Sequence, residues 1–484
     1  MISNINSNHL QALQSTPQHS APATPAKAQE STSPQVGSDS VSLGGQRESL
    51  GEFVPGQVII KTKPSLLMDD VPSRYGATVL DNLSPKGGMS IESNNSKLLQ
   101  LQLPEGVSTE EALAKMAEDP SIEYAVPNTI YHLDKQETDA KIVDLPKQDV
   151  KGAQGDPNDP SFPKQWDFKN VGQDGGTPGA DMNISDAWKV TTGAPNGQGP
   201  LIAVIDTGVD FEHPDLAANI YTNTGEIPNN GIDDDGNGYV DDYHGWNAHL
   251  QNGDSMDRQG HGTHVAGTIG AVGNNGQGVT GVNWEASILP VKIFSDDGGA
   301  DAASIIRGIN YANDMGARLT SNSWGGGPYN PAVHEAFKEY SSGLHMMSAG
   351  NSGTNNDVYA HFPSDYELPN NIAVAATDRN DQLASFSCYG EKNVDIAAPG
   401  HEILSTYPNG QYAVLSGTSM ATPHVTGAAG LLLAMDPQMS NEELMTRLME
   451  GGDKLESLDG KVASGARLNI GQAMEYDYQG PEKA

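Results

Sequence analysis

The chain has 484 residues, with 27 Lys plus Arg against 62 Asp plus Glu and a formal charge of −35. It is longer than one domain of about 100 to 200 residues, and its anionic excess argues against a nucleic-acid or anionic-membrane partner, since both are held by clustered cations. One cysteine, Cys388, excludes an intrachain disulfide and any cysteine-cluster metal site, and the longest apolar run, near 428–435, falls far short of the roughly 18 to 20 residues that span a bilayer.

Residues 1–52 are rich in Ser, Gln and Pro and poor in aromatics, a composition that cannot offset the entropy of ordering and predicts a disordered extension. The first thirty residues lack the basic start and apolar stretch of a secretory leader. Such a start implies either cytoplasmic residence or export by a leaderless or type III-like route. From Phe53 the pattern changes. Residues 57–62 and 97–103 read as strands, and Ser108 with Glu111 forms a capping box ahead of Ala112, Leu113 and Met116. Residues 122–126 read as a closing strand, so 53–133 is predicted to be a small α+β domain. Residues 134–160 carry charge, Gly and Pro without periodicity and read as an exposed linker open to proteolysis. Over 161–475, strand-like runs such as 201–205, 288–294, 319–323, 344–348 and 372–376 alternate with helical patterns. That alternation predicts an α/β fold, a mostly parallel sheet covered by helices on both faces. Residues 476–484 form a tail, and no repeat of 20 to 50 residues is present.

Three segments of the large unit place reactive side chains at the predicted sheet edge. Asp206 follows the buried run Leu201-Ile202-Ala203-Val204-Ile205, at the carboxyl end where open α/β sheets build their sites. Alone it is a turn or cap residue as readily as a functional one. Gly260-His261-Gly262-Thr263-His264 reads as a glycine-flanked helix start. His261 and His264 are spaced i, i+3 and lack the glutamate of an HExxH zinc site, so a metal reading is weak. Ser419, in Ser416-Gly417-Thr418-Ser419-Met420-Ala421-Thr422-Pro423-His424, heads an apolar helix, with Pro423 expected in its first turn. It is either an N-cap or a nucleophile facing the helix dipole. Serine reacts only when a histidine takes its proton and a carboxylate orients that histidine, and the chain supplies Asp206, His261 and Ser419 in one order.

These motifs together resemble those of the subtilisin-like serine proteases, the subtilases, in which Asp, His and Ser follow in this order. The resemblance implies a subtilisin-like three-layer fold and a serine endopeptidase with Asp206, His261 and Ser419 as its triad. It further implies Asn351, in Ser348-Ala349-Gly350-Asn351-Ser352-Gly353, as an oxyanion donor, and Ser323, Trp324 and Gly325 as a segment that pairs with extended substrate. Cys388 lies in a segment similar to one of the family and reads as structural. The loop from Gly231 to Asp242 sets Asp233, Asp235 and Asn237 at alternate positions, followed by Tyr239 and Asp242, and resembles a calcium loop although the full EF-hand pattern fails. A second structural calcium site of the family would use Asp215 and Asn275, with the carbonyls of Gln277 and Val279. Residues 53–133 are similar to the inhibitor-type prodomain of these enzymes, so the chain is expected to be a monomeric, secreted zymogen. It would process itself in 134–160 and act on protein or peptide substrates, with its own prodomain as intramolecular inhibitor. Activity would rise through roughly pH 6 to 8 as histidine becomes neutral. The rival expectation is a catalytically silent calcium-binding interaction protein on the same scaffold.

Overall fold

The computed structural model describes residues 51–64, 71–86, 96–133, 140–143, 145, 155–194 and 198–480, and the backbone of 40–43 and 46–49. Most of the expected disordered extension lies outside these residues. Near its end Ser40–Leu43 and Gln46–Ser49 pair as an antiparallel hairpin that the polar composition does not announce.

The N-terminal unit is an antiparallel sheet with a short helix, Val71–Arg74, and a longer one, Thr109–Met116, packed on its core. Phe53–Thr62 is its centre, flanked by Leu98–Gln102 on one side and Ile122–His132 on the other, with Thr78–Asn82 at one edge. The helix Thr109–Met116 forms where the capping signal places it, since Ser108 Oγ accepts from the Glu111 N–H at 3.1 Å. Ala112, Leu113 and Met116 then face Val58, Ile60 and Leu101 in a small core. The strand expected at 122–126 continues to His132. Its extra length pairs antiparallel with Gly299–Asp301, a strand of the following unit, so the sheet crosses from one unit to the other.

A nine-stranded sheet forms the large unit, in the order Asp453–Lys454, Ala466–Arg467, Ile396–Pro399, Asn371–Thr377, Leu344–Ser348, Leu319–Asn322, Leu201–Asp206, Ser287–Lys292, Trp246–Asn247. Its strands run parallel except for Asp453–Lys454. Strand periodicity divides the core in two. Ile202 and Val204 point into one apolar layer, beside Val265, Ala266 and Ile269 of helix His261–Gly270 and Val425 and Leu431 of helix Thr418–Met435. Ala203 and Ile205 point into the other, beside Ile305 and Ile309 of helix Ala302–Asp314 and Val333 and Phe337 of helix Pro331–Glu339. Burying each large apolar side chain contributes about 1.5 to 3 kcal/mol, so both helix layers are needed to hold the parallel sheet. No helix among the described residues is long and apolar enough to cross a membrane.

The expected linker is not exposed throughout. Of its residues, 134–139, 144 and 146–154 lie outside the described ones, but Lys141–Ile142 pairs with Val414 and Ala413, and Asp159 is buried. The sequence shows no periodicity there because the contacts are short and go to distant segments, the strand Gln411–Leu415 and the loop at 274–275. Pro423 also departs from expectation: it is the sixth residue of its helix, not in the first turn.

Asp395 precedes the strand Ile396–Pro399, and its carboxylate accepts from the Ala373 N–H at 2.7 Å. Burial, reinforced by Asp365, pushes this carboxyl up to about 6 against the Ala373 hydrogen bond. The folded form therefore keeps a proton that the unfolded form has released between pH about 4 and 6, and stability falls as pH climbs through that window. Asp395→Asn should raise the urea midpoint at pH 8 and leave it close to wild type at pH 4, as read by fluorescence-monitored unfolding.

Candidate active site

Asp206 ends the central strand Leu201–Asp206 and is fully buried; His261 begins the helix His261–Gly270 and is 4 % exposed. Imidazole Nδ1 lies 2.8 and 3.0 Å from the two carboxylate oxygens. Glycine permits this approach. Gly208, with φ +97, brings the chain so close to the Ser255 carbonyl that a Cβ there would lie 2.3 Å from the oxygen, and one on Gly262 would lie 2.1 Å from the Gly208 oxygen. His264, one turn further on, sits on the carbonyls of Ile403 and Ala413 at 3.0 and 3.2 Å. Burial lowers its pKa to about 3, so it is a neutral core residue.

Ser419 is the second residue of helix Thr418–Met435 and is buried. Its hydroxyl donates to the Ser323 carbonyl at 3.2 Å, and the Ser323 hydroxyl donates to the Ser419 carbonyl at 3.0 Å. Asn351 follows the strand Leu344–Ser348, and its side-chain oxygen accepts from Thr418 N at 2.8 Å and Thr418 Oγ1 at 2.9 Å. With its oxygen so held, the amide nitrogen faces Gly417: a Cβ there would come within 3.1 Å of Asn351 Nδ2 and 3.6 Å of Ser419 N. The side of Gly417 that carries no Cβ thus lies close to the Asn351 and Ser419 nitrogens. Trp324 is buried, its indole N–H donating to the Ile205 carbonyl at 3.0 Å. Gly325 N–H donates to the His132 carbonyl at 3.3 Å, and His132 also pairs with Gly299. The N-terminal unit therefore lays its last strand between two backbone segments of the large unit. Tyr131 is buried there, edge-on to Trp324 with ring centres 5.9 Å apart.

Cys388 is buried with its sulfur 3.1 Å from Ser352 Oγ and 3.4 Å from Thr354 Oγ1. Burial pushes the thiol up, but these hydrogen bonds outweigh it and leave it below its ordinary value. Packed away from solvent, it stays a structural residue.

The acidic loop holds a cluster only partly legible in sequence. Asp235 and Asp242 meet Glu226, with one oxygen of each within 4.8 Å of the others. Asp242 is fully buried and Glu226 is 4 % exposed. Burial raises the Asp242 carboxyl, opposed by hydrogen bonds from Asn223, Tyr311 and Asn237. Among the described residues no lysine or arginine pairs with the three. A hard divalent cation takes oxygen ligands of this kind, so the donor set fits one. Asp233 and Asn237 hold the turn of the loop: Asp233 accepts from the Asn237 and Gly238 N–H groups and Asn237 from the Tyr239 N–H. The Tyr239 hydroxyl donates to Asp314 at 2.6 Å. Glu226 escapes the spacing pattern because only the fold returns it to the loop.

At the second predicted site Asn275 Nδ2 donates to Asp215 at 2.7 Å, and the Val279 N–H donates to the other oxygen at 2.9 Å. Asp159, from the expected linker, joins them: it accepts from the Asn274 and Asn275 N–H groups. Burial, with help from Asp215, raises it to about 6 despite those bonds. Both carboxylates are buried and held by the same 274–279 loop.

Comparison with known proteins agrees with this geometry. The Subtilase family model matches residues 197–463, and the Fervidolysin N-terminal prodomain model matches 44–128. Thermitase of Thermoactinomyces vulgaris is 36 % identical over 323 residues, which cover 66 % of this chain and 99 % of thermitase. The cell wall-associated protease of Bacillus subtilis is 38 % identical over 305 residues, covering 63 % of this chain but only 31 % of that larger protein. The crystal structure of fervidolysin from Fervidobacterium pennivorans shares the fold, with a TM-score of 0.64 at 24 % identity over 92 % of this chain and 64 % of that one. Matched along its parallel sheet by the family model and along nearly the whole of thermitase, this chain belongs to the subtilases, a family of serine proteases, with a fervidolysin-like prodomain ahead of the catalytic fold.

Proposed function

We propose that the chain is the zymogen of a serine endopeptidase that hydrolyses protein substrates through an acyl-enzyme. Ser419 Oγ attacks the peptide carbonyl while His261 takes its proton. The tetrahedral oxyanion is met by Asn351 Nδ2 and the Ser419 N–H. Collapse breaks the C–N bond as His261 returns the proton to the leaving amine, and water repeats the sequence to release the acid. Asp206 keeps the imidazole oriented and supports its charge. The observation that carries this reading is the buried 2.8 Å contact of Asp206 with His261, held at the same sheet edge as a serine on a helix N-terminus.

Prodomain inhibition is supported by the pairing of His132 with Gly325 and Gly299. An extended chain lies there against the segment assigned to substrate, with maturation in 134–160 freeing the cleft. Calcium is the cation that the oxygen-only donors of Glu226, Asp235 and Asp242 suit, and it would neutralise their mutual repulsion. Asp215 with Asn275 and Asp159 is the second candidate. Action outside the cell is supported by the similarity to the cell wall-associated protease of Bacillus subtilis and by calcium being abundant there.

Ser419→Ala should abolish hydrolysis of a peptide anilide, and Asn351→Ala should lower kcat about 100- to 1000-fold, the loss typical of one oxyanion donor, subtilisin's included; persistent cleavage by Ser419→Ala defeats the reading. In the Ser419→Ala background, which cannot digest itself, calcium at about 100 times its Kd should add about 2.7 kcal/mol to the unfolding free energy. Chelator should remove that gain, and Glu226→Gln should blunt it in a calorimetric scan. The separate prodomain added to mature enzyme should inhibit it, and Tyr131→Ala, which empties a buried aromatic site, should raise the inhibition constant at least about tenfold.

A further inference from the structure

Lys292 is an internal lysine with no part in the steps above. It ends the strand Ser287–Lys292, is 2 % exposed, and pairs in parallel register with Asp206. In-register neighbours of a parallel pair share a face, so the ammonium stem runs on the side of the sheet that carries the Asp206 carboxylate. Its Nζ donates to the Thr207 carbonyl at 2.7 Å and lies 3.0 Å from Asp296, which is more than half exposed. An ammonium out of water is costly unless its charge meets a purpose or a partner, and one exposed carboxylate is a weak partner.

Thr207 is the residue on which this contact acts. It is fully buried and each of its polar atoms is engaged. Its N–H donates to Asp206 Oδ1 at 2.7 Å; its hydroxyl donates to Asp257 at 2.9 Å and accepts from the Gly262 N–H at 2.9 Å. Asp257, 3 % exposed, spends its other valences on the start of the His261 helix. It accepts from the N–H groups of Gln259, Gly260 and Thr263 and from the Thr263 hydroxyl at 2.6 Å. Gly260, the residue that caps this helix, has no side chain to cap with, and Asp257 does that work from three residues upstream. Lys292 above and Asp257 below thus clamp Thr207, which touches the carboxylate of one strand end and the backbone beside the imidazole of one helix start.

We propose that Lys292 is a positioning residue of the protease reaction, acting through Thr207 and Asp257 to fix Asp206 against His261 and setting a buried positive charge at the Thr207 carbonyl beside that pair. This rests on the proteolytic reading above. The charged groups of the network are Asp206 from the central strand, Asp210 beyond it, whose N–H is held by the Thr263 hydroxyl, Asp257 ahead of the helix, His261 and the neutral His264 within it, Asp296 after the Lys292 strand, and Arg258, a second cation that interacts with Asp257 and Asp296 and pairs with Asp254.

The test uses the full chain, matured by immobilised wild-type enzyme that is then removed, with a peptide anilide as substrate. Lys292→Met keeps the stem and deletes the charge. It should lower kcat about 10- to 100-fold with KM nearly unchanged, the pattern of lost positioning rather than lost binding. Loss of a nearby cation should also move the acid limb of the kcat profile upward by about half a pH unit or more. Lys292→Arg should return that limb toward wild type. Unchanged kcat and limb in folded Lys292→Met overturns the proposal, and a lowered kcat with an unmoved limb overturns its electrostatic half. Should Lys292→Met fail to fold, Thr207→Val against Thr207→Ser decides: the first loses kcat and the second keeps it, and equal activity overturns the clamp. Ser419→Ala run alongside separates the two ideas, since activity there defeats the proteolytic reading itself.

Discussion

A carboxylate and an imidazole held 2.8 Å apart, with neither in water, is the constraint on which the rest of this molecule depends. Removing such groups from solvent costs several kcal/mol per ion unless geometry and further hydrogen bonds compensate. The fold supplies both. A strand end fixes Asp206, a helix start fixes His261, and glycines at 208 and 262 let the two backbones meet at distances no side chain would allow. Thr207, Asp257 and Lys292 then occupy the space around the pair with groups that donate and accept in register. The sheet's parallel order follows from the same demand, because only a parallel sheet delivers successive strand ends and helix starts to a single edge.

The second consequence concerns the prodomain, whose sheet does not end at its own boundary. Ile122–His132 pairs on one side with Phe53–Thr62 and, further along, with Gly299–Asp301 of the catalytic unit. Ile59, Leu83 and Tyr131 sit in the same apolar layer as the helices Ala302–Asp314 and Pro331–Glu339. Polar contacts frame that layer. Arg307 pairs with Asp81 at 3.1 Å, Asn310 Nδ2 donates to the Leu83 carbonyl at 2.9 Å, and Glu335 meets both Lys61 and the Tyr124 hydroxyl. Apolar burial provides affinity while the surrounding polar pairs fix register and can be rehydrated on separation. The helix Ala302–Asp314 serves both partners at once, since Tyr311, the residue after Asn310, donates to Asp242 of the acidic loop.

What could be read from sequence was what is local. Asp206, His261, Ser419 and Asn351 each carry a neighbourhood of glycines and small residues that only a tight approach requires, and Ser108 with Glu111 announces its helix. Features assembled across sequence distance were not legible. Glu226, Asp159, Asp257 and Lys292 look like ordinary charges until the chain returns them to a loop or strand beside their partners. Strand Thr78–Asn82 has four exposed residues and an edge position, so it lacks the alternation by which a half-buried strand is recognised. The overrun of Ile122–His132 was hidden because its partner, Gly299–Asp301, lies more than a hundred residues on.

Pro423 shows how a misread residue exposes a constraint. Within a helix a proline has no N–H to give, and the carbonyl four residues earlier loses its donor at a cost of about 3 kcal/mol when nothing replaces it. Here that carbonyl belongs to Ser419. The replacement is Ser323, whose hydroxyl donates to it at 3.0 Å while its own carbonyl receives the Ser419 hydroxyl at 3.2 Å. A helix that satisfied itself would leave Ser419 free to move with the helix axis. The proline makes that first turn incomplete unless it is joined to the strand end at Ser323, so the serine is positioned by the central sheet. The same sheet positions Asp206 and, through Asp257 and Thr207, His261. Three side chains scattered over two hundred residues therefore share one rigid reference, and the proline that looked like a helix start is part of what ties the last of them to it.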